Sequence, residues 1–148
     1  MSDTLFSAMN TSAAGMSAQR SRMDIVASNI ANAESTRTES GGPYRRRQVV
    51  FQTTDPKKEF NHIFESEFQG SGPKTVKVSS IIEDQRPFRE IYNPSHPDAD
   101  SRGMVKMPNV NSVEEMVDMQ SASRSFEANV TTMEAAKRMF QKSLELLR

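Results

Sequence analysis

Histidine and aspartate side chains are the first residues of this chain whose types and spacing could do chemistry. His96, Asp98 and Asp100 place an imidazole and two carboxylates close together, a set that would suit a divalent cation. The neighbouring prolines and the lack of further ligands instead favour a turn in which Asp98 and Asp100 bond to nearby backbone. His62 has no serine, cysteine or aspartate partner at the spacing of a catalytic triad. We therefore predict no catalytic site, no metal ion and no cofactor.

Three consecutive arginines, Arg45 to Arg47, follow Tyr44 and could bind the phosphate groups of a nucleic acid beside an aromatic ring. Side chains on a strand alternate between its faces, and 19 basic residues are balanced by 19 acidic ones. The arginines therefore indicate a solvated edge strand whose charges discourage wrong pairing, with salt bridges to another subunit as the alternative. We predict no nucleic-acid partner. Because the first residues lack a long apolar run, we also expect no cleaved signal peptide and no direct membrane insertion.

Both ends of the chain have the residue spacing of coiled-coil helices. Apolar, small or amide residues, with one lysine among them, recur there at alternating steps of three and four, the pattern of a helix that packs along one seam. The first seam consists of Leu5, Met9, Ser12, Met16, Gln19, Met23, Val26, Ile30 and Ala33. The second seam consists of Met116, Met119, Ser123, Phe126, Val130, Met133, Lys137, Phe140, Leu144 and Leu147. We predict that residues 1–35 and 112–148 form one discontinuous helical core in which the helices pair as a coiled coil.

The middle of the chain, residues 36–111, contains all seven prolines and most of the glycines, so it cannot continue either helix. Alternating apolar residues predict short antiparallel strands at Tyr44 to Phe51, Thr75 to Ile82, Phe88 to Tyr92 and Met104 to Met107. Residues 55–70 have the composition of a possible insertion between two of these strands. The predicted fold class is α+β, with long N- and C-terminal helices and a small antiparallel β middle region.

The start and the outer surface of the second helix carry further signals. A capping box can be formed either by Ser112 with Glu115 or by Asn111 with Glu114. Additional apolar residues lie off the main seam, so the apolar stripe is wider than one partner helix requires. These residues are Val113, Val117, Met139 and Leu146. Since the chain as a whole is poor in large aliphatic residues, we expect a subunit that is completed by its neighbours.

Several short motifs together resemble the bacterial flagellar axial proteins of the rod and hook. They are SNIANA at the end of the first helix, PYR at Pro43, NVN at Asn109, EMV at Glu115 and EAN at Glu127. Within that family the middle region is most similar to a subunit of the proximal rod. The resemblance implies that the terminal helices pair, pack with those of neighbouring subunits into a tube, and hold the β region outside it. It also implies export through the flagellar type III apparatus and a place in the periplasmic part of the basal body.

The resemblance further implies a structural role, as drive shaft and export-channel wall, and a set of subunit contacts. The implied partners are copies of the chain, other rod subunits, the rod-to-MS-ring junction protein and, in transit, the export apparatus. The implied subunit-interaction residues are Asn29, Ile30, Asn32, Tyr44, Asn109, Asn111, Glu115, Met116, Arg124, Phe126, Glu127, Asn129, Val130, Met133, Phe140 and Leu144. A different rod subunit of the same family and a cytosolic coiled-coil adaptor are the alternatives.

Overall fold

The computed structural model describes residues 2–39, 41–54 and 74–146. The elements in these ranges are two long helices with four strands between them. They follow in the order α1 (Ser2–Ala31), β1 (Arg47–Thr54), β2 (Thr75–Glu83), β3 (Arg89–Tyr92), β4 (Met104–Met107) and α2 (Ser112–Leu146). The predicted α+β class and its order of elements are confirmed. The possible insertion at residues 55–70 lies outside the described residues.

The chain divides into two compact units, and each long helix contributes to both. Unit 1 comprises Met1–Ser21, Phe51–Ser79 and Ala122–Arg148. Unit 2 comprises Arg22–Val50 and Ser80–Ser121.

In unit 1 the two helices pair in antiparallel fashion and approach closely. The rings of Phe6 and Phe140 meet edge to face with their centroids 5.5 Å apart. Further along, a Cβ atom at Gly15 would lie 2.9 Å from Nδ2 of Asn129, which is closer than side chains tolerate. The side chains buried in this unit are small, among them Ser12, Ala18, Ala122 and Ala136. Small residues let helices approach, so this interface combines close backbone packing with the aromatic contact of Phe6 and Phe140.

In unit 2 the strands β3 and β4 form an antiparallel pair in which Ile91 lies opposite the buried Val105. The connection between them is closed by Asp100, whose Oδ1 accepts hydrogen bonds from the N–H groups of Arg102 (2.8 Å) and Met104 (3.0 Å). These N–H donors hold the pKa of Asp100 below its ordinary value. The prediction that Asp100 shapes a turn is confirmed.

Asp98 acts differently from the prediction. Its Oδ2 accepts a hydrogen bond of 2.8 Å from the hydroxyl of Thr36 rather than from backbone. The N–H of Asp98 donates to Nδ1 of His96 at 3.1 Å, so the imidazole takes part in the turn.

The strands pair as β1 with β2 and β3 with β4, so the described part of the middle region contains two two-stranded sheets. β1 begins three residues later than predicted because the preceding backbone has other partners. The N–H of Tyr44 donates to the carbonyl of Ser35, and that of Arg46 donates to the side chain of Asn109.

Half of the seam positions predicted for α2 are wrong by one residue. At those positions the residue that faces α1 is the one just before the predicted residue. Met116 and Leu144, predicted on the seam, are exposed. The most deeply buried positions of α2 recur every seven residues, one residue earlier along the chain. They are Glu115, Ala122 and Ala136, with Asn129 filling the remaining place opposite Gly15. Two heptad registers overlap in this sequence, and the one made of small and polar residues faces the partner helix.

Candidate functional site: a buried polar network

Asn29, near the end of α1, is only 1% exposed and uses all of its hydrogen-bonding capacity. Its Nδ2 donates to the carbonyl of Arg47 (2.9 Å) and to Oε2 of Glu115 (2.8 Å). Its Oδ1 accepts from the N–H of Arg47 (2.9 Å) and from the hydroxyl of Tyr44 (3.0 Å). One amide side chain therefore joins α1 to the first residue of β1 and to the first turn of α2.

Glu115 is completely buried, and its charge is matched by the guanidinium of Arg46. Nε of Arg46 donates to Oε1 of Glu115, while Nη2 lies 3.4 Å from Oδ2 of Asp118. Nη1 lies 3.9 Å from a carboxylate oxygen of Asp84. Arg22 completes the group with a 3.0 Å bond to the other oxygen of Asp118. A carboxylate can be held this deep because it is both paired with a charge and hydrogen bonded.

The NVN motif supplies two amide side chains with separate tasks. Oδ1 of Asn109 accepts from the N–H of Arg46 (2.9 Å), and its Nδ2 donates to the carbonyls of Asp84 and Arg86. Asn111 caps α2, since its Oδ1 accepts from the N–H of Val113 at 3.1 Å. The alternative capping box of Ser112 with Glu115 is therefore wrong, because the Glu115 carboxylate points into the network and binds Arg46.

Asp84 lies at the edge of the network, and its pKa is held below the ordinary value of 3.8. The largest cause is the N–H of Arg86, which donates to Oδ1 at 2.9 Å. Burial acts in the opposite direction, and the guanidinium groups of Arg86 and Arg46 lower the pKa further. The folded protein thus favours the ionised form of this carboxyl group.

A lowered pKa in the folded state means that Asp84 stabilises the fold at pH values above its unfolded pKa. That contribution is lost as the pH falls through the folded pKa, so we expect stability to decline below about pH 4. Asp84→Asn should remove part of this decline, whereas replacement of the exposed Asp24 by asparagine should not. Thermal unfolding followed by circular dichroism between neutral and strongly acidic pH measures both. Equal acid sensitivity of wild type and Asp84→Asn would contradict the assignment.

The chemistry available to this network is structural. Each of its acidic groups is directed at a guanidinium, at an amide or at backbone N–H. Among the described residues no cysteine or histidine takes part in it, and the one serine hydroxyl beside it, that of Ser28, lies 3.4 Å from the hydroxyl of Tyr44. Among the described residues, no three His, Asp or Glu side chains are arranged to hold a metal ion. Within the same ranges, no helix combines the length and apolar character that a membrane crossing needs.

Four of the residues predicted to take part in subunit contacts meet in this network: Asn29, Tyr44, Asn109 and Glu115. Three of them are buried within the chain, so they act by fixing its helices and loop, and their part in subunit contact stays a prediction. The other predicted residues are spread along the two helices and their ends. Half-buried are Ile30, Asn32, Phe126, Asn129, Val130, Met133 and Phe140, and exposed are Asn111, Met116, Arg124, Glu127 and Leu144.

Sequence reasoning missed four charged members of the network. Arg46 was expected on a solvated edge strand, but its side chain is 12% exposed and its salt bridges lie within the chain, so that expectation is wrong. Arg22, Asp84 and Asp118 were not singled out. Arg22 and Asn29 are seven residues apart, as are Glu115 and Ala122. This second heptad register of polar and small residues is the sequence signal that could have indicated the network.

Comparison with known proteins places both helical ends in flagellar families. The family model described as flagella basal body rod protein matches residues 9–37, which include Asn29. The model described as flagellar basal body rod FlgEFG protein C-terminal matches residues 101–146, which include Asn109 and Glu115. The two matches thus cover both helices that the network joins.

Whole-chain relatives extend this similarity through the middle region. The flagellar basal-body rod protein FlgC of Borreliella burgdorferi is 43% identical over 148 residues, covering 97% of each chain. That of Bacillus subtilis is 45% identical over 149 residues, covering 97% of this chain and 98% of the relative. That of Escherichia coli O157:H7 is 40% identical over 142 residues, covering 96% and 97%.

Proposed function

The chain belongs to the FlgC family of flagellar basal-body rod proteins, and we propose that it builds the proximal part of the rod. It is a structural rod subunit of the flagellar basal body and assembles there with other rod subunits. The observation that carries the proposal is the similarity to FlgC relatives over nearly the whole chain, middle region included. The middle region matters because the terminal motifs are shared with other rod and hook subunits.

In the proposed role, the paired helices form part of a tube wall that transmits torque and encloses the export channel. The antiparallel contacts of Phe6 with Phe140 in unit 1 and of Asn29 with Glu115 in unit 2 support this role. Each contact fixes how α1 and α2 present their remaining surfaces to a neighbour. A subunit that transmits torque needs its two helices held in one fixed register. Buried polar groups specify the register in which two helices pair.

The finer assignments are also proposals. The subunit is exported by the flagellar type III apparatus without cleavage, lies in the periplasmic space, and is not an enzyme. Its neighbours are its own copies, other rod subunits and the rod-to-MS-ring junction protein. The described residues that could do chemistry support this, because His96 and Asp100 are engaged in a turn.

Deletion of the gene tests the proposal. We expect cells without filaments and without motility, restored by the wild-type chain, with a tagged copy purifying in basal bodies. We also expect the tagged copy to stay in the cytoplasm when the export gate is inactivated. A chain that remains cytosolic in cells that swim would instead favour the coiled-coil adaptor. Basal bodies that end at a later rod segment in the deletion strain would favour a different rod subunit.

A further inference from the structure

The first two turns of α2 have their apolar residues on the side that faces water. Val113, Met116 and Val117 are 63%, 54% and 63% exposed. Their spacing of three and four residues places them in one stripe on the helix surface. The opposite side of the same turns carries Glu115 and Asp118, which belong to the polar network. The usual amphipathic arrangement of a surface helix is therefore inverted in this stretch.

Local needs of the helix do not account for this stripe. Asn111 already caps the helix, and the positive end of the helix dipole favours the acidic residues of the first turn, not exposed valines. Apolar residues that cluster on a protein surface mark places where another molecule packs. The stripe thus has the properties of a contact surface.

Charge indicates what kind of surface would cover it. Residues 112–121 contain no basic residue, and of their three acidic residues Glu115 and Asp118 are paired on the other side of the helix, so the exposed Glu114 is the one beside the stripe. Residues 135–144, near the other end of α2, contain three basic residues and no acidic one. There Met139 is 56% exposed, and Arg138 and Lys142 are exposed close to it. The exposed carboxylate of Glu114 beside the stripe is complementary to the exposed cations of Arg138 and Lys142 beside Met139.

We propose that Val113, Met116 and Val117 of one subunit pack against Met139 of α2 in a second copy of the chain. This rests on the proposed function as a rod subunit and names one of its contacts. A stripe that instead paired with itself across a two-fold axis would offer the Glu114 carboxylates no cation, since residues 112–121 contain no basic residue. When two different surfaces meet, each pair of subunits still has one free copy of each surface. Further copies can therefore add in one direction, as a helical assembly requires.

The absence of cysteine from the natural sequence allows a direct test. Two tagged copies, one with Val117→Cys and one with Met139→Cys, are expressed together in the deletion strain, and basal bodies are isolated and oxidised. Each chain then has a single thiol, so a disulfide can form only between chains. Two cysteines are joined only when their Cα atoms lie within about 7 Å. A dimer that carries both tags is the expected product.

The matched control replaces Thr131, which is exposed on the same helix and has no apolar stripe around it. The pair Val117→Cys with Met139→Cys should give roughly tenfold more mixed dimer than Thr131→Cys with Met139→Cys, because the disulfide requires close approach. If the Val117→Cys chain fails to enter basal bodies, Val113→Cys serves in its place with the same expectation.

Other results overturn the inference. Incorporated chains that give no excess of mixed dimer show that these two surfaces do not meet. The Val117→Cys chain can also be treated with a bifunctional maleimide. If it is cross-linked to a different rod protein and forms no mixed dimer, the partner of the stripe is not a second copy of the chain. Absence of the wild-type chain from basal bodies would instead refute the proposed function, which is a distinguishable failure.

Discussion

Replacing Glu115 with alanine is expected to lower the free energy of unfolding by about 3–5 kcal/mol, the range found when one partner of a buried ion pair is removed. The carboxylate is fully buried and serves both Arg46 and Asn29. Without it, the Arg46 side chain keeps only its longer contacts with Asp84 and Asp118, and Asn29 loses one acceptor. Urea unfolding followed by far-UV circular dichroism measures the loss.

Two further variants separate the buried charge from general damage to the helix. Glu114→Ala lies in the same turn but is exposed, so it should change stability by no more than about 0.5 kcal/mol. In the double variant Arg46→Met with Glu115→Met, neither charge of the pair remains, while Asp118 keeps Arg22 and Asp84 keeps Arg86. Replacement of both partners by apolar residues is often near neutral, so the double variant should be more stable than Glu115→Ala. A Glu115→Ala protein as stable as Glu114→Ala would contradict the role of the network.

Phe140→Asp is expected to abolish motility while export of the subunit continues. The ring of Phe140 packs on that of Phe6 with an interplanar angle of 64°, and both belong to unit 1. The substitution removes the aromatic pair and places an unpaired carboxylate in a half-buried position, at a cost of roughly 2–3 kcal/mol. Because the cost falls on the pairing of α1 with α2, the tube wall should fail to form. Swimming in soft agar and the amount of exported chain are the measurements.

Phe140→Leu and Gln141→Asp are the controls for this prediction. Leucine keeps an apolar side chain against Phe6 and should retain motility, and Gln141 is exposed, so an aspartate there should be tolerated. Val130→Asp, at another half-buried position of α2, is expected to behave like Phe140→Asp. Motile cells carrying Phe140→Asp would count against the part of this helix pair in assembly.

The sequence predicted the helices, the four strands and their α+β combination because each depends on local periodicity and on where proline and glycine stop a helix. β1 was displaced by three residues for a reason that is not local. The backbone of Tyr44 and Arg46 bonds to Ser35 and Asn109, and no pattern within the strand reports such partners.

The network was only partly predictable. Asn29, Tyr44, Asn109 and Glu115 were named because they stand in the motifs that resemble the flagellar family, without their contacts. Arg46 was misread since three adjacent arginines in a neutral chain suggest a solvated strand. Its burial depends on Glu115, which is 69 residues further along the chain, and on the fold that brings the two together.

By itself, the sequence determined that two long helices would carry heptad seams and that further apolar residues would lie off those seams. It did not determine which of two adjacent registers faces the partner helix, because an apolar pattern favours the larger side chains. The tertiary structure selects the other register. Gly15 allows close approach to Asn129 in unit 1, and the pairing of Asn29 with Glu115 in unit 2 requires a polar position to face inward. Close packing and satisfied buried charge thus decide the register, and Val113, Met116 and Val117 are left facing outward.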